Sequence, residues 1–221
     1  MITLRSYQEE SVNRLREGIR DGHKNQILCS PTGSGKTIIG AHLLQEVRCK
    51  GRKAAFVVDR VSLCDQTSAS LSHFNIRHGV AQGQNTFGRS EPIQVCSSQT
   101  IEKRGFLPDL DLLIVDEAHT QRKFIIDFAQ NSTVPVIGLT ATPFSKGLGE
   151  TYSNVVNVTT TDRLITEGFL SPLTVYAAKE IDMTGAKTVA GEWADKEVER
   201  RGGEIIGDIV SEWVNKTNLH F

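Results

Sequence analysis

Ser30-Pro31-Thr32-Gly33-Ser34-Gly35-Lys36-Thr37, SPTGSGKT, decides how the rest of this chain is read. The apolar run Ile27-Leu28-Cys29 leads into it, and an apolar-periodic segment with Ile38, Ile39, Ala41, Leu43 and Leu44 follows. The order is strand, glycine-rich turn, helix. The backbone N–H groups of such a turn wrap a phosphate, and the helix N-terminus adds its partial positive charge. The candidate cradle is Pro31, Thr32, Gly33, Ser34, Gly35, Lys36 and Thr37, with Lys36 reaching the outer phosphates and the Thr37 hydroxyl offered to Mg²⁺. The general pattern opens on a glycine, and here Ser30 stands in that place. A small residue still makes the turn, while Gly33 and Gly35 let the backbone approach the ligand.

Working outward, short apolar runs alternate with helical periodicity. A helix is expected over 3–21, with Val12, Leu15 and Ile19 at helical spacing, Ser6 as its cap and Gly22 as its stop. Strands are expected at 27–29, 54–58, 76–81, 93–96, 111–115 and 134–139. Helices are expected at 35–49, 61–74, 100–103 and 124–129, with a polar loop over 82–92. This alternation argues for an α/β fold with a mostly parallel central sheet and helices on both faces. Ligands of such sheets bind outside the carboxyl ends of the strands. SPTGSGKT, DRVSLCDQ, SSQT, DEAH and TATP each directly follow an apolar run, so all five are expected on that edge. Past Pro143 the texture changes: a loop over 146–149, a short strand at 155–158, a helix over 162–167 ending at Gly168, and a strand-like run at 173–178. A mobile loop over 183–191, a charged helix over 192–201 and an amphipathic helix over 204–214 are expected to follow.

Composition narrows the class. The 221 residues are 38% hydrophobic and 23% charged, as in a soluble globular protein, with a formal net charge of −1. Bulk charge therefore gives no nucleic-acid footprint; a local patch is required. No apolar run reaches the length of a membrane span, and the N-terminus lacks an apolar signal core. Cys29, Cys49, Cys64 and Cys96 form no CxxC pair, which reads as a reducing compartment, with the cytoplasm as default, rather than a zinc site or disulfide framework.

Asp116-Glu117-Ala118-His119 follows the most apolar run of the chain. Beside a phosphate cradle, Asp116 can hold Mg²⁺ together with Thr37, and Glu117 can orient and deprotonate an attacking water. Lys36, Asp116 and Glu117 are therefore the candidate catalytic set. His119 can link this site to the neighbouring strand end that carries Thr140 and Thr142, whose hydroxyls suit a carboxylate or imidazole. By itself a threonine-rich turn closed by Pro143 says little; as one member of an ordered series it says more.

With these motifs in order, the chain resembles the DExH branch of the superfamily 2 helicases and translocases, over about 4–144 and more loosely to 178. LRSYQ, with Arg5 and Gln8, resembles the family's adenine-reading Q motif, which implies Gln8 against the base. VDRVSLCDQ, with Arg60, and SSQT, with Ser98, Gln99 and Thr100, resemble its nucleic-acid-contacting motifs. SPTGSGKT, DEAH and LTATP match its motifs I, II and III. The segment DRLITEGFLSPLTVY is similar to the exit from the first motor domain in RadD-like and restriction-enzyme-like translocases. The resemblance implies a RecA-like P-loop NTPase domain over 1–145 and an exit segment over 146–221 that starts the connection to a second RecA-like domain. It implies ATP and Mg²⁺ as cofactors, and nucleic acid as partner, DNA ahead of RNA. Because that second domain supplies arginine fingers, the chain alone is expected to bind ATP–Mg²⁺ weakly and hydrolyse it slowly or not at all. The rival readings are a non-hydrolysing nucleotide- and nucleic-acid-binding module acting on a partner protein, and a kinase-like P-loop protein, which would leave LRSYQ, DEAH and TATP unexplained.

Overall fold

The computed structural model describes residues 2–85, 87–105, 107, 109–172, 184–186, 188–189, 192–193 and 213–214. In chain order the elements are α1 (Ser6–Arg20), β1 (Asn25–Cys29), α2 (Lys36–Cys49), β2 (Ala54–Val58), α3 (Val61–His73), β3 (Gly79–Ala81), β4 (Ile93–Ser97), α4 (Ser98–Arg104) and β5 (Leu112–Asp116). A 3₁₀ turn (Ala118–Thr120) follows, then α5 (Lys123–Asn131), β6 (Val136–Thr140), α6 (Leu148–Thr151), β7 (Asn154–Asn157) and α7 (Thr161–Thr166). β1 to β7 form one sheet in the order β3-β4-β2-β5-β6-β1-β7. Every pairing in it is parallel, so the expected α/β, RecA-like layout is present.

The period-two alternation of the strands sorts the core into two layers. Ala54, Phe56 and Val58 of β2 join Leu28, Ile93, Val95, Ile114 and Leu139 on one face, where α1, α2 and α3 add Val12, Leu15, Ile39, Leu44 and Leu71. Ala55 and Val57 face the other way with Ile27, Leu113, Val115 and Val136, covered by Ile101 of α4 and Ile125 and Ala129 of α5. Strands buried on both sides need continuous apolar runs, which is why β2 reads as AAFVV. Burial of one large aliphatic side chain contributes about 1.5–3 kcal/mol, so these two layers dominate the stability.

The structure departs from the sequence expectation in identifiable places. α1 begins at Ser6, so Ser6 is not its cap; Arg5 holds that position, and its N–H donates to Gln8 Oε1 at 2.9 Å. The short strand expected at 155–158 is present as β7, but it joins the same sheet, paired with β1 at its edge, and the first compact unit runs Met1–Ser171. An edge strand has one neighbour only, and Val155 is exposed while Val156 is buried, so its apolar signal is thin. A single helical turn, α6, lies where a loop is expected; one turn gives no full period to read. The expected loop over 183–191 holds β8 (Thr188–Val189), paired antiparallel with β9 (Glu192–Trp193), so Glu192 and Trp193 do not begin a helix. Trp213 and Val214 are helical; the rest of the expected helices over 192–201 and 204–214, and the run at 173–178, fall outside the described residues. Among the described residues no helix is long and apolar enough to cross a membrane.

Candidate nucleotide and nucleic-acid site

Because all seven strands are parallel, their carboxyl ends share one edge of the sheet. β5, β6 and β1 are consecutive there, which brings DEAH, TATP and the P-loop side by side. Gly138 makes the packing possible: a Cβ on it would come within 2.7 Å of Ala118 Cβ, so only glycine lets the DEAH turn lie this close to β6.

The P-loop is braced from inside and from below. Ser30 Oγ donates to Ser34 Oγ at 2.7 Å, with both residues buried, and Ser30 N–H donates to Thr140 O at 3.0 Å. The serine that departs from the glycine pattern is thus a cross-brace, and its backbone ties motif I to motif III. Ser34 O accepts from Tyr7 Oη at 2.8 Å and Gln8 Nε2 at 3.0 Å. Gly33 and Gly35 have φ of +79° and +82°, the left-handed region where glycine carries little strain. Lys36 Nζ donates to Ser30 O at 3.2 Å and Pro31 O at 3.4 Å. The ammonium therefore lies within the loop's own curve, where a phosphate offers it a stronger, charge-assisted partner.

Asp116 ends β5, and Glu117 turns the chain with φ +48°. The Asp116 carboxyl is pushed up from its ordinary range, first by burial and then by the neighbouring Glu117 charge; the Glu117 N–H, Lys36 and His119 pull it back. A cation beside it would relieve both upward effects. Among the described residues no group of three or more His, Cys, Asp or Glu can hold a metal ion by itself. A carboxylate oxygen of Asp116 with the Thr37 hydroxyl would suit Mg²⁺, which takes one or two protein oxygens and completes its shell with water and substrate phosphates. His119 Nδ1 lies 2.9 Å from Thr140 Oγ1 and 3.2 Å from Glu117 Oε2, and Thr142 N–H donates to Thr140 Oγ1 at 3.0 Å. One ring nitrogen thus touches both the DEAH carboxylate and the strand end of motif III.

The ends of β2 and β4 form the other half of the edge. Arg60 and Gln99 are exposed, whereas Ser98 and Thr100 are buried. Ser98 Oγ donates to Asp59 O at 3.2 Å, and Thr100 Oγ1 accepts from Gly83 N–H at 2.8 Å. Asp59 also takes the guanidinium of Arg122, with Nη2 at 2.6 Å and Nε at 2.8 Å from Oδ1. The structure therefore brings the four candidate nucleic-acid residues to one edge, but presents two of them outward and ties two inward. Tyr7, Asp59 and Arg122 escape the sequence reading. Tyr7 sits inside LRSYQ, but the Asp59–Arg122 pair spans 63 positions and leaves no local signal.

Cys29, Cys49, Cys64 and Cys96 are free. Burial pushes the thiols of Cys64 and Cys96 up to about 11 and about 12, so both are inert.

Comparison with known proteins agrees with this geometry. Residues 1–145 match the family described as type III restriction enzyme, res subunit. The chain is 29% identical over 201 residues to a 51.5 kDa protein of a Lactococcus phage (isolate 7-9), covering 86% of this chain and 41% of that protein. It is 30% identical over 160 residues to the putative ATP-dependent helicase IRC3 of Saccharomyces cerevisiae, covering 63% of this chain and 23% of the relative. It thus spans less than half the length of these relatives. The solved structure of a nuclease-deletion mutant of the type ISP restriction-modification enzyme LlaGI, in complex with a DNA substrate mimic, shares the fold with a TM-score of 0.58 at 18% identity, over 76% of this chain and 21% of that one. With its motifs gathered on one edge of a parallel sheet, the chain belongs to the type III restriction enzyme res subunit family and carries a superfamily 2 helicase-type, RecA-like motor domain.

Proposed function

We propose that this chain is the ATP-binding half of a nucleic-acid translocase, in which ATP hydrolysis drives movement along DNA once a second RecA-like domain completes the site. The observation that carries the reading is the placement of Lys36, Asp116, Glu117, His119 and Thr140 at the ends of three adjacent strands. Pro31 to Thr37 cradle the triphosphate through backbone N–H groups, and Lys36 neutralises its outer oxygens. Arg5 serves the base, and Gln8, buried and bonded to Arg5 N–H and Ser34 O rather than turned outward, holds the P-loop beneath it. Thr37 and Asp116 hold Mg²⁺, which when bound supplies positive charge to the transferring phosphoryl group. Glu117 takes the proton of the attacking water, while the His119 ring holds it in register with Thr140. Arg60 and Gln99 meet the nucleic-acid backbone, and Ser98 and Thr100 shape the turn that presents them. DNA is preferred over RNA because the fold neighbour LlaGI was solved with a DNA substrate mimic. The free, unpaired cysteines suit a cytoplasmic setting.

The test is single-turnover ATP hydrolysis by the chain alone and with a second RecA-like domain added in trans. Alone it should bind ATP–Mg²⁺ weakly and turn over slowly; supply of an arginine finger should raise the rate by roughly 10³–10⁵. Robust DNA-stimulated turnover by the 221 residues alone would refute the half-site reading. Failure to bind ATP–Mg²⁺ at all would refute the nucleotide site.

A further inference from the structure

The base end of the nucleotide site has an aromatic neighbour that no motif announces. Gln8 is 2% exposed, with its carbonyl oxygen bonded to Arg5 N–H and its amide nitrogen to Ser34 O, so its side chain fastens the P-loop from below. Arg5 is exposed, and its guanidinium carbon stands 4.5 Å from the centroid of the Phe169 ring. Arg5 Nη1 also donates to Tyr7 Oη at 3.3 Å, and Tyr7 in turn donates to Ser34 O. The guanidinium is therefore held on one side by an aromatic face and at its edge by the phenol that fastens the P-loop.

Phe169 is well placed to set that plane. It follows α7, and the N–H groups of Phe169 and Leu170 both donate to the carbonyl of Leu164, a fully buried residue, at 2.8 and 3.0 Å. The Phe169 ring also meets Tyr7, with centroids 5.5 Å apart and planes at 58°. The next side chain reaches the P-loop itself: a Cβ on Gly33 would come within 2.9 Å of Leu170 Cδ2. The turn after α7 thus touches the Q segment and the phosphate loop at once.

We infer that Phe169 is a positioning residue of the nucleotide site: stacked on Arg5, it holds the guanidinium flat beside the P-loop so that a purine base can stack on the opposite face. The chemistry is that of a layered sandwich, aromatic ring, guanidinium, base, in which a planar cation is favoured by π-faces on both sides. A guanidinium free to rotate would lose this stacking, so the ring supplies preorganisation rather than a direct contact. The inference rests on the ATP-site reading above and adds to it the residue that fixes the base platform.

The experiment compares ATP–Mg²⁺ with inorganic tripolyphosphate–Mg²⁺ by isothermal titration of the full chain. The variants are Phe169→Leu, which keeps apolar packing without a π-face, and Phe169→Tyr, which keeps the ring. Thermal melts check that each variant folds. Phe169→Leu should weaken ATP roughly 3- to 10-fold, in line with a stacking contribution, and leave tripolyphosphate unchanged; Phe169→Tyr should restore ATP. Equal ATP affinity in parent and Phe169→Leu overturns the inference while leaving the nucleotide site standing. Equal loss of both ligands, or failure of Phe169→Tyr to restore ATP, overturns it too, because it reduces Phe169 to general packing. A parent that binds neither ligand overturns the nucleotide site itself, and this inference with it.

Discussion

The ends of β1, β5 and β6 and the ends of β2 and β4 lie on the same edge of one sheet, yet they treat their polar groups differently. At the first, the bracing is done by groups that need no charge: Ser30 against Ser34, and Tyr7 and Gln8 against the Ser34 carbonyl. This leaves Lys36, Asp116 and Glu117 available to a ligand. At the second, two candidate ligand groups are themselves the braces, Ser98 on Asp59 and Thr100 on Gly83, and a charged pair, Asp59–Arg122, holds the turn. Arg60 and Gln99 remain facing out. A triphosphate is small and highly charged and rewards a fixed cradle. A polymer backbone met in any sequence needs little more than a few outward donors.

The comparison can be broken from either side. The largest effect is expected from Glu117→Gln, which should slow single-turnover hydrolysis, measured with the second domain in trans, by about 10²–10⁴ and leave ATP affinity nearly unchanged. If the variant hydrolyses as fast as its parent, Glu117 is not the base. Next comes Lys36→Ala: loss of a charge-assisted partner should weaken ATP–Mg²⁺ by roughly 10- to 100-fold in calorimetric titration. Parental affinity would mean that the ammonium stays on the Ser30 and Pro31 carbonyls when nucleotide binds.

At the second end the expected effects are smaller and of different kinds. Arg60→Ala should lower the salt slope of single-stranded DNA binding by about 1. Thr100→Ala should leave that slope alone and cost stability by about 1 kcal/mol in urea unfolding, through loss of the Gly83 bond. The reverse pattern would show that the inward hydroxyl turns out to meet phosphate. The smallest effect concerns Asp116→Asn in the ligand-free chain. A carboxyl raised by burial stabilises the fold in its protonated state, and that contribution is lost as pH rises through the native pKa. The variant should therefore melt above its parent at neutral pH, with the gap closing as the solution is acidified. An unchanging gap across pH would place the effect in packing rather than in charge.

Legibility in the sequence followed the range of the interaction. β2 is found to the residue because five consecutive buried positions leave no alternative to an apolar run. The motif order and the common edge follow from strand–helix alternation, since parallel strands put every β–α loop on one side. β7 is half-hidden because an edge strand needs fewer apolar residues, and its partner β1 lies far back in the chain. In the site, the His119–Thr140 link is anticipated, and its geometry is found at 2.9 Å. The inward turn of Ser98 and Thr100 is not anticipated, because a hydroxyl looks the same in sequence whether it faces solvent or a buried carbonyl.

Ser30 shows where the division falls. From sequence alone the chain has a glycine-rich P-loop turn between a strand and a helix, two carboxylates at a strand end, and an α/β sheet to carry them, because periodicity and turn chemistry are local properties of the backbone. That the Ser30 N–H hangs on the Thr140 carbonyl, that Phe169 lies on Arg5 and that Arg122 closes on Asp59 were decided only by tertiary structure. Each is a choice of partner across the sheet edge or the chain, and which of many polar or aromatic side chains meet is set by how the layers pack, a quantity no local window of sequence contains.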